Sequence, residues 1–219
     1  MHIVVTGDSN ALPRPFNNKT FTFEEELSFY YRDTYGYLTY SWLRERCPDP
    51  LQAIYSNRAF KGSTIRDVYR EIEQHLFLLQ PSLLLVQVGL CDCWIRPALE
   101  TDPKQYVPIE KFTDYYGKII DLLKNRPKMK CIIIGICPPD PVMEERFPGV
   151  LHEIDRYNQV LKAGVDSEQI FFLDIAKRIE EVQPPNYLHA DHQHLDKAGH
   201  YFLFQEIQKI VLEHRFDFT

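Results

Sequence analysis

A chain of 219 residues with 44% hydrophobic and 26% charged residues has the make-up of a globular protein, long enough for one domain with a well-buried core. Its formal charge of -6 leaves no basic surplus to neutralise a phosphate backbone, so nucleic acid is not an expected partner. No apolar run approaches the roughly 18 residues needed to cross a bilayer, which excludes a transmembrane segment.

Residues 3–6 start a strand almost at once and leave no room for a signal-peptide core, so a cytoplasmic location is expected. Further short β-branched or leucine-rich runs at 53–56, 83–88, 131–136 and 170–173 read as strands. Helical patterns fall between and after them, at 38–46, 65–79, 109–125, 151–164, 176–181 and 196–214. In the last of these, Leu195, Ala198, Phe202, Ile207, Ile210 and Val211 fall on one stripe. Strands apolar on both faces belong to a parallel sheet covered by helices, so the expected fold is a three-layer α/β/α sandwich with a five-stranded parallel sheet.

Three proline-bearing connections, 10–23, 91–108 and 138–148, follow strands. In a parallel sheet the carboxyl ends of the strands are where ligands bind, which makes these the places to look for a site. Cys47, Cys91, Cys93, Cys131 and Cys137 are odd in number and partly lie in strand-like runs, which suits reduced thiols. The spacing of Cys91-Asp92-Cys93 is wrong for structural zinc.

Gly7-Asp8-Ser9-Asn10 follows the first strand, where a small residue permits a tight turn and leaves the next side chain at the strand end. After the second strand comes Gly62, whose backbone N–H could face a ligand, with Ser63 or Thr64 available to cap the helix beginning near Ile65. Gly89-Leu90-Cys91-Asp92 ends the central strand, and Asp191-His192-Gln193-His194 lies ahead of the last helix.

These four blocks, in this order and at strand ends, resemble the SGNH (GDSL-type) hydrolases over nearly the whole chain. The resemblance implies a flavodoxin-like sandwich, no cofactor, Ser9 as nucleophile, His194 as base and Asp191 as the carboxylate that orients it. It also implies an oxyanion hole built from Ser9, Gly62 and the residue at position 91. A serine hydroxyl is a poor nucleophile until a hydrogen-bonded imidazole takes its proton, and a carboxylate fixes the imidazole tautomer and stabilises its charge. The departure is Cys91, standing where the family has asparagine: a thiol is a weak donor. Arg96 on the same loop is a candidate substitute donor, and Asn10, Trp94, Arg96 and His192 are the expected substrate contacts.

The expected activity is hydrolysis of an oxygen ester, an O-acetyl or other short acyl group on a carbohydrate or small metabolite, through an acyl-Ser9 intermediate. Three alternatives stand beside it: acyl transfer by the same residues, a non-catalytic binding protein with a relaxed oxyanion site, and a metal-dependent hydrolase using the histidine-dense stretch from His189 to His194. Phe21, Phe23, Phe29, Tyr30, Tyr31, Tyr35, Tyr37 and Tyr40 either form a wall beside Ser9 or cover the sheet, and covering the sheet is the expectation.

Overall fold

The structure is a computed structural model that describes residues 1–14, 27–94, 107–166 and 168–218. Strands β1 (His2–Gly7), β2 (Ile54–Asn57), β3 (Leu83–Gln87), β4 (Lys130–Ile134) and β5 (Ile170–Leu173) pair in parallel in the order β2-β1-β3-β4-β5. This is the flavodoxin-like order, whose direction of winding reverses between β1 and β3, so the loops leaving those two strands diverge and open a crevice. The five expected strands are all present.

Alternation along the strands divides the core. Val4, Leu84, Val86, Cys131 and Ile133 face one layer, made of α2 (Ile65–Leu79), α4 (Ile109–Lys124) and α6 (Val150–Ala163). Ile3, Val5, Leu83, Leu85, Ile132 and Ile134 face the other, made of α1 (Tyr35–Arg44), α7 (Ile175–Val182) and α8 (Lys197–Glu213). Two short helices accompany them, α3 (Leu90–Cys93) and α5 (Val142–Arg146). The connection expected as loop over 138–148 therefore carries a helix, one too short to leave a periodic signature.

The apolar stripe of the last helix is rotated from its expected position. Ala198 is exposed, whereas Gly199, His200, Leu203 and Glu206 are buried with Phe202, Ile207 and Val211. The cause is a close approach at Gly199, where a Cβ would stand 2.1 Å from the Tyr187 carbonyl oxygen, so this face of the helix turns inward against the chain that precedes it.

Gly7 fixes the start of the site. Its φ is +141°, and an added Cβ would lie 1.8 Å from the Gln87 carbonyl oxygen across the β1–β3 pair. Only glycine lets β1 approach β3 this closely and turn at once, leaving the Asp8 N–H to donate to that same oxygen at 2.9 Å.

Candidate active site

The residue after that turn is Ser9. It opens a one-turn 3-10 helix, Ser9–Ala11, capped by Asp8, whose carboxylate accepts the Asn10 N–H at 2.9 Å. The second block is tied to the first: Phe60 N–H donates to the Gly7 carbonyl at 3.1 Å, and the Asn57 amide donates to the Ala11 carbonyl at 2.9 Å. Thr64 is the N-cap of α2, with Asp67 accepting its backbone N–H at 3.0 Å, so the capping expected of Ser63 or Thr64 falls to Thr64. Asp92, fully buried, accepts the Ile65 N–H through both oxygens at 3.0 and 3.1 Å and thereby clamps the end of β3 to the start of α2. Burial pushes its carboxyl well above the ordinary range, against the pull of that N–H.

The Asp191–His194 block forms the tip of a narrow loop closed by the antiparallel bridge between Leu188 and Leu195. The His189 N–H donates to the His194 carbonyl at 2.7 Å, and His192 turns the chain with a φ of +64°. The 138–148 connection holds this tip from outside, with Asp140 N–H donating to the His192 carbonyl at 2.8 Å and the Tyr187 hydroxyl to the Pro138 carbonyl at 3.2 Å.

Ser9 and His194, 185 positions apart, meet with Oγ 2.8 Å from Nε2. His194 Nδ1 lies 2.7 Å from Asp191 Oδ2, and Asp191 Oδ1 accepts the backbone N–H groups of His194 at 3.0 Å and Gln193 at 3.2 Å. Arg14 Nη2 donates to the same Oδ2 at 3.1 Å. Burial pushes the Asp191 carboxyl up, but the bonds from His194 and the neighbouring N–H groups outweigh it and hold Asp191 below the usual carboxylate range. For His194 burial dominates in the opposite sense: it lowers the imidazole pKa, Asp191 opposes, and the Arg14 charge lowers it further. A neutral imidazole whose Nδ1 hydrogen is held by a carboxylate has Nε2 free to accept the serine proton.

A cleft of about 1120 Å³ opens over Ser9, His194 and Asp191. Gly62 and Cys91 lie in its wall together with Trp94, His192 and Arg14. Trp94 is 6% exposed and packs edge-on against Phe147 at 4.8 Å between ring centroids, so it is a wall more than a stacking platform. Asn10, expected at the substrate, is not in the wall: it is buried, and its amide oxygen accepts the Leu195 N–H at 3.1 Å, joining the Ser9 segment to the Asp-His loop. Arg96 lies outside the described residues, as do Phe21 and Phe23. Of the other aromatic residues named above, Phe29 and Tyr35 are buried, Tyr37 and Tyr40 pack on Tyr55, Tyr30 and Tyr31 are exposed, and none lines the cleft.

Two contacts of the site carried no recognised signal. Arg14 sits in the Leu12-Pro13-Arg14-Pro15 run, five positions after Ser9, where nothing local announces a partner at position 191. The clamp made by Asp92 is equally silent: the residue stands in the third block, but its partner is the backbone N–H that starts α2, 27 positions away. Among the described residues no group of three or more His, Cys, Asp or Glu side chains is placed to hold a metal ion. Among the same residues no disulfide joins the cysteines, and no helix is long and apolar enough to cross a membrane.

The parallel sheet and the helices on both its faces define the class, a flavodoxin-like α/β/α fold. The chain belongs to the GDSL-like Lipase/Acylhydrolase family, whose profile matches residues 27–202, and is accordingly an ester-hydrolysing enzyme. That match includes Gly62, Cys91, Asp191 and His194 but begins after the Ser9 block. Among solved structures, an acetylxylan esterase from Geobacillus stearothermophilus is similar with a TM-score of 0.69 and 20% identity, covering 96% of this chain and 93% of that one. An alpha/beta hydrolase enzyme from the metagenome of Lake Arreo, Spain, is similar with a TM-score of 0.70 and 17% identity, covering 97% and 95%. No curated protein sequence matches the chain.

Proposed function

We propose that the enzyme hydrolyses an oxygen ester through an acyl-Ser9 intermediate, and that its substrates are short acyl esters, O-acetyl groups foremost, on carbohydrates. The observation that carries this reading is the unbroken series Ser9 Oγ to His194 Nε2 at 2.8 Å and His194 Nδ1 to Asp191 Oδ2 at 2.7 Å, opening onto a cleft. Ser9 Oγ attacks the ester carbonyl while its proton passes to His194 Nε2. The carbonyl oxygen becomes an oxyanion facing the Ser9 and Gly62 N–H groups, and the C–O bond to the alcohol breaks as His194 returns the proton to it. Water repeats the sequence on the acyl-enzyme, losing its proton to His194 and releasing the acid. An alcohol in place of water gives acyl transfer by the same route.

The carbohydrate assignment rests on the walls of the cleft. Lys61, Glu145, Arg146, His192 and Gln193 offer hydrogen bonds suited to a polyhydroxylated alcohol, while Leu90, Val142, Met143 and Trp94 give it an apolar side. The similar esterase from Geobacillus stearothermophilus acts on acetylxylan, which agrees in substrate chemistry. The absence of a disulfide among the described residues agrees with a reducing, cytoplasmic setting.

The test is a fluorophosphonate reagent applied with and without a chelator, alongside hydrolysis of p-nitrophenyl acetate and an acetylated xylooligosaccharide. Label on Ser9 and chelator-resistant activity on both esters are expected. Activity lost to the chelator with no labelling would favour a metal mechanism instead, and silence in both assays on folded protein would favour a binding protein. Cys91→Asn supplies a stronger amide donor where the thiol stands, and turnover is expected to rise by up to about two decades. A fall in kcat would show that the thiol has its own task.

A further inference from the structure

Among the described residues Asp191 receives four hydrogen bonds, and three come from its own loop: His194 Nδ1, His194 N–H and Gln193 N–H. Those three would survive a rigid rotation of the loop away from Ser9. The fourth would not, because Arg14 belongs to the segment that carries Ser9. Arg14 is itself fixed at both ends. Its side chain is 7% exposed, and its carbonyl accepts both the N–H and the hydroxyl of Ser28 at 2.9 Å each. With Asn10, which holds the Leu195 N–H, it makes a two-point clasp on either side of His194.

We propose that Arg14 is a positioning residue for the reaction: it aligns Asp191 with His194 from the Ser9 segment, and its charge sets how acidic the medium can become before turnover fails. Arg14 and His194 share one carboxylate oxygen, so protonating the imidazole places a second cation beside that oxygen. The groups facing His194 are Asp191 and His189 on its own loop, Arg14 after β1, and His200 on α8. Asp8 faces Arg14 from the turn beside Ser9. Burial pushes His200 down to about 3, so it stays neutral across the working range. Burial pushes Asp8 up to about 7, so it can add a step of its own to a rate profile, and His194 must be followed directly. Burial already lowers the His194 pKa and Arg14 lowers it further, against the pull of Asp191. Removing the guanidinium charge therefore moves the acid limb of activity to higher pH.

The inference rests on the serine mechanism proposed above. Its test measures kcat and KM against pH for the wild type, Arg14→Lys and Arg14→Gln, together with the His194 Cε1–H titration by NMR in protein labelled with carbon-13 histidine. In the wild type the His194 midpoint is expected below 6.5. Arg14→Gln, which keeps a donor but loses the charge, is expected to raise the midpoint and the acid limb together by about one pH unit. Arg14→Lys keeps the charge but not the planar fork. It is expected to retain the wild-type limb with kcat down about tenfold and KM little changed.

Coincident pH profiles and coincident His194 titrations in all three proteins would overturn the role of Arg14 while leaving the serine mechanism intact. If Arg14→Gln does not fold, Arg14→Lys carries the test alone, and a kcat equal to that of the wild type would overturn the role. Failure of the mechanism itself has a different signature, wild-type turnover in Ser9→Ala.

Discussion

Ser9→Ala is expected to lower esterase turnover by about four to six decades with the melting temperature little changed. The loss is large because the hydroxyl is the group that would form and break the covalent bond, and among the described residues no other nucleophile is drawn to His194 Nε2 by a hydrogen bond. The fold should tolerate the change. Among the described residues the Ser9 side chain bonds only His194, while the backbone of the turn is held independently by the Asp8 cap and by the close contact of Gly7 with β3. Steady-state kinetics with p-nitrophenyl acetate, paired with thermal unfolding, separate the two effects. Retained turnover on a folded Ser9→Ala protein would contradict the serine mechanism.

Asp191→Asn is expected to cost about four decades in kcat, with a smaller effect on KM. Both carboxylate oxygens of Asp191 act only as acceptors: Oδ2 from His194 Nδ1 and Arg14, Oδ1 from two backbone N–H groups. An asparagine must turn its NH2 towards one of these pairs, setting donor against donor. Turned towards His194, it drives the imidazole to the tautomer with hydrogen on Nε2, which can no longer accept the proton of Ser9 Oγ. Turned towards the backbone, it leaves two part-buried N–H groups unsatisfied and destabilises the loop by about 1 kcal/mol. The check is a kcat comparison with Asp191→Ala. An Asn variant at wild-type turnover would show that Asp191 does not set the tautomer.

Much of the architecture was legible in the sequence because β3 and β4 are buried on both faces and so had to be apolar at successive positions. The end of β4 was less legible. The apolar run continues to Ile136, yet the strand stops at Ile134, because the Ile136 N–H is taken by the Asn158 side chain at 2.7 Å in place of a ladder partner. Helices α3 and α5, at 4 and 5 residues, are too short to impose a period. In the site, three blocks declared themselves through strand-end position and the fourth through its place ahead of the last helix, and the structure brings Ser9, Gly62, Cys91, Asp191 and His194 to one cleft. What stayed hidden was every tie spanning long separations: Arg14 to Asp191, Asn10 to Leu195, and Asp92 to Ile65. Asn10 illustrates the difficulty, since a polar residue beside a nucleophile reads as a substrate contact until its partner is seen to be a backbone N–H 185 positions away.

The most direct measurement is a crystal structure of the enzyme after inactivation with a phosphonate ester. Phosphorus bonded to Ser9 Oγ is expected, with a phosphonyl oxygen about 2.7–3.1 Å from the N–H groups of Ser9 and Gly62. Phosphorus on a different nucleophile, or that oxygen pointing away from both N–H groups, would contradict the proposed mechanism.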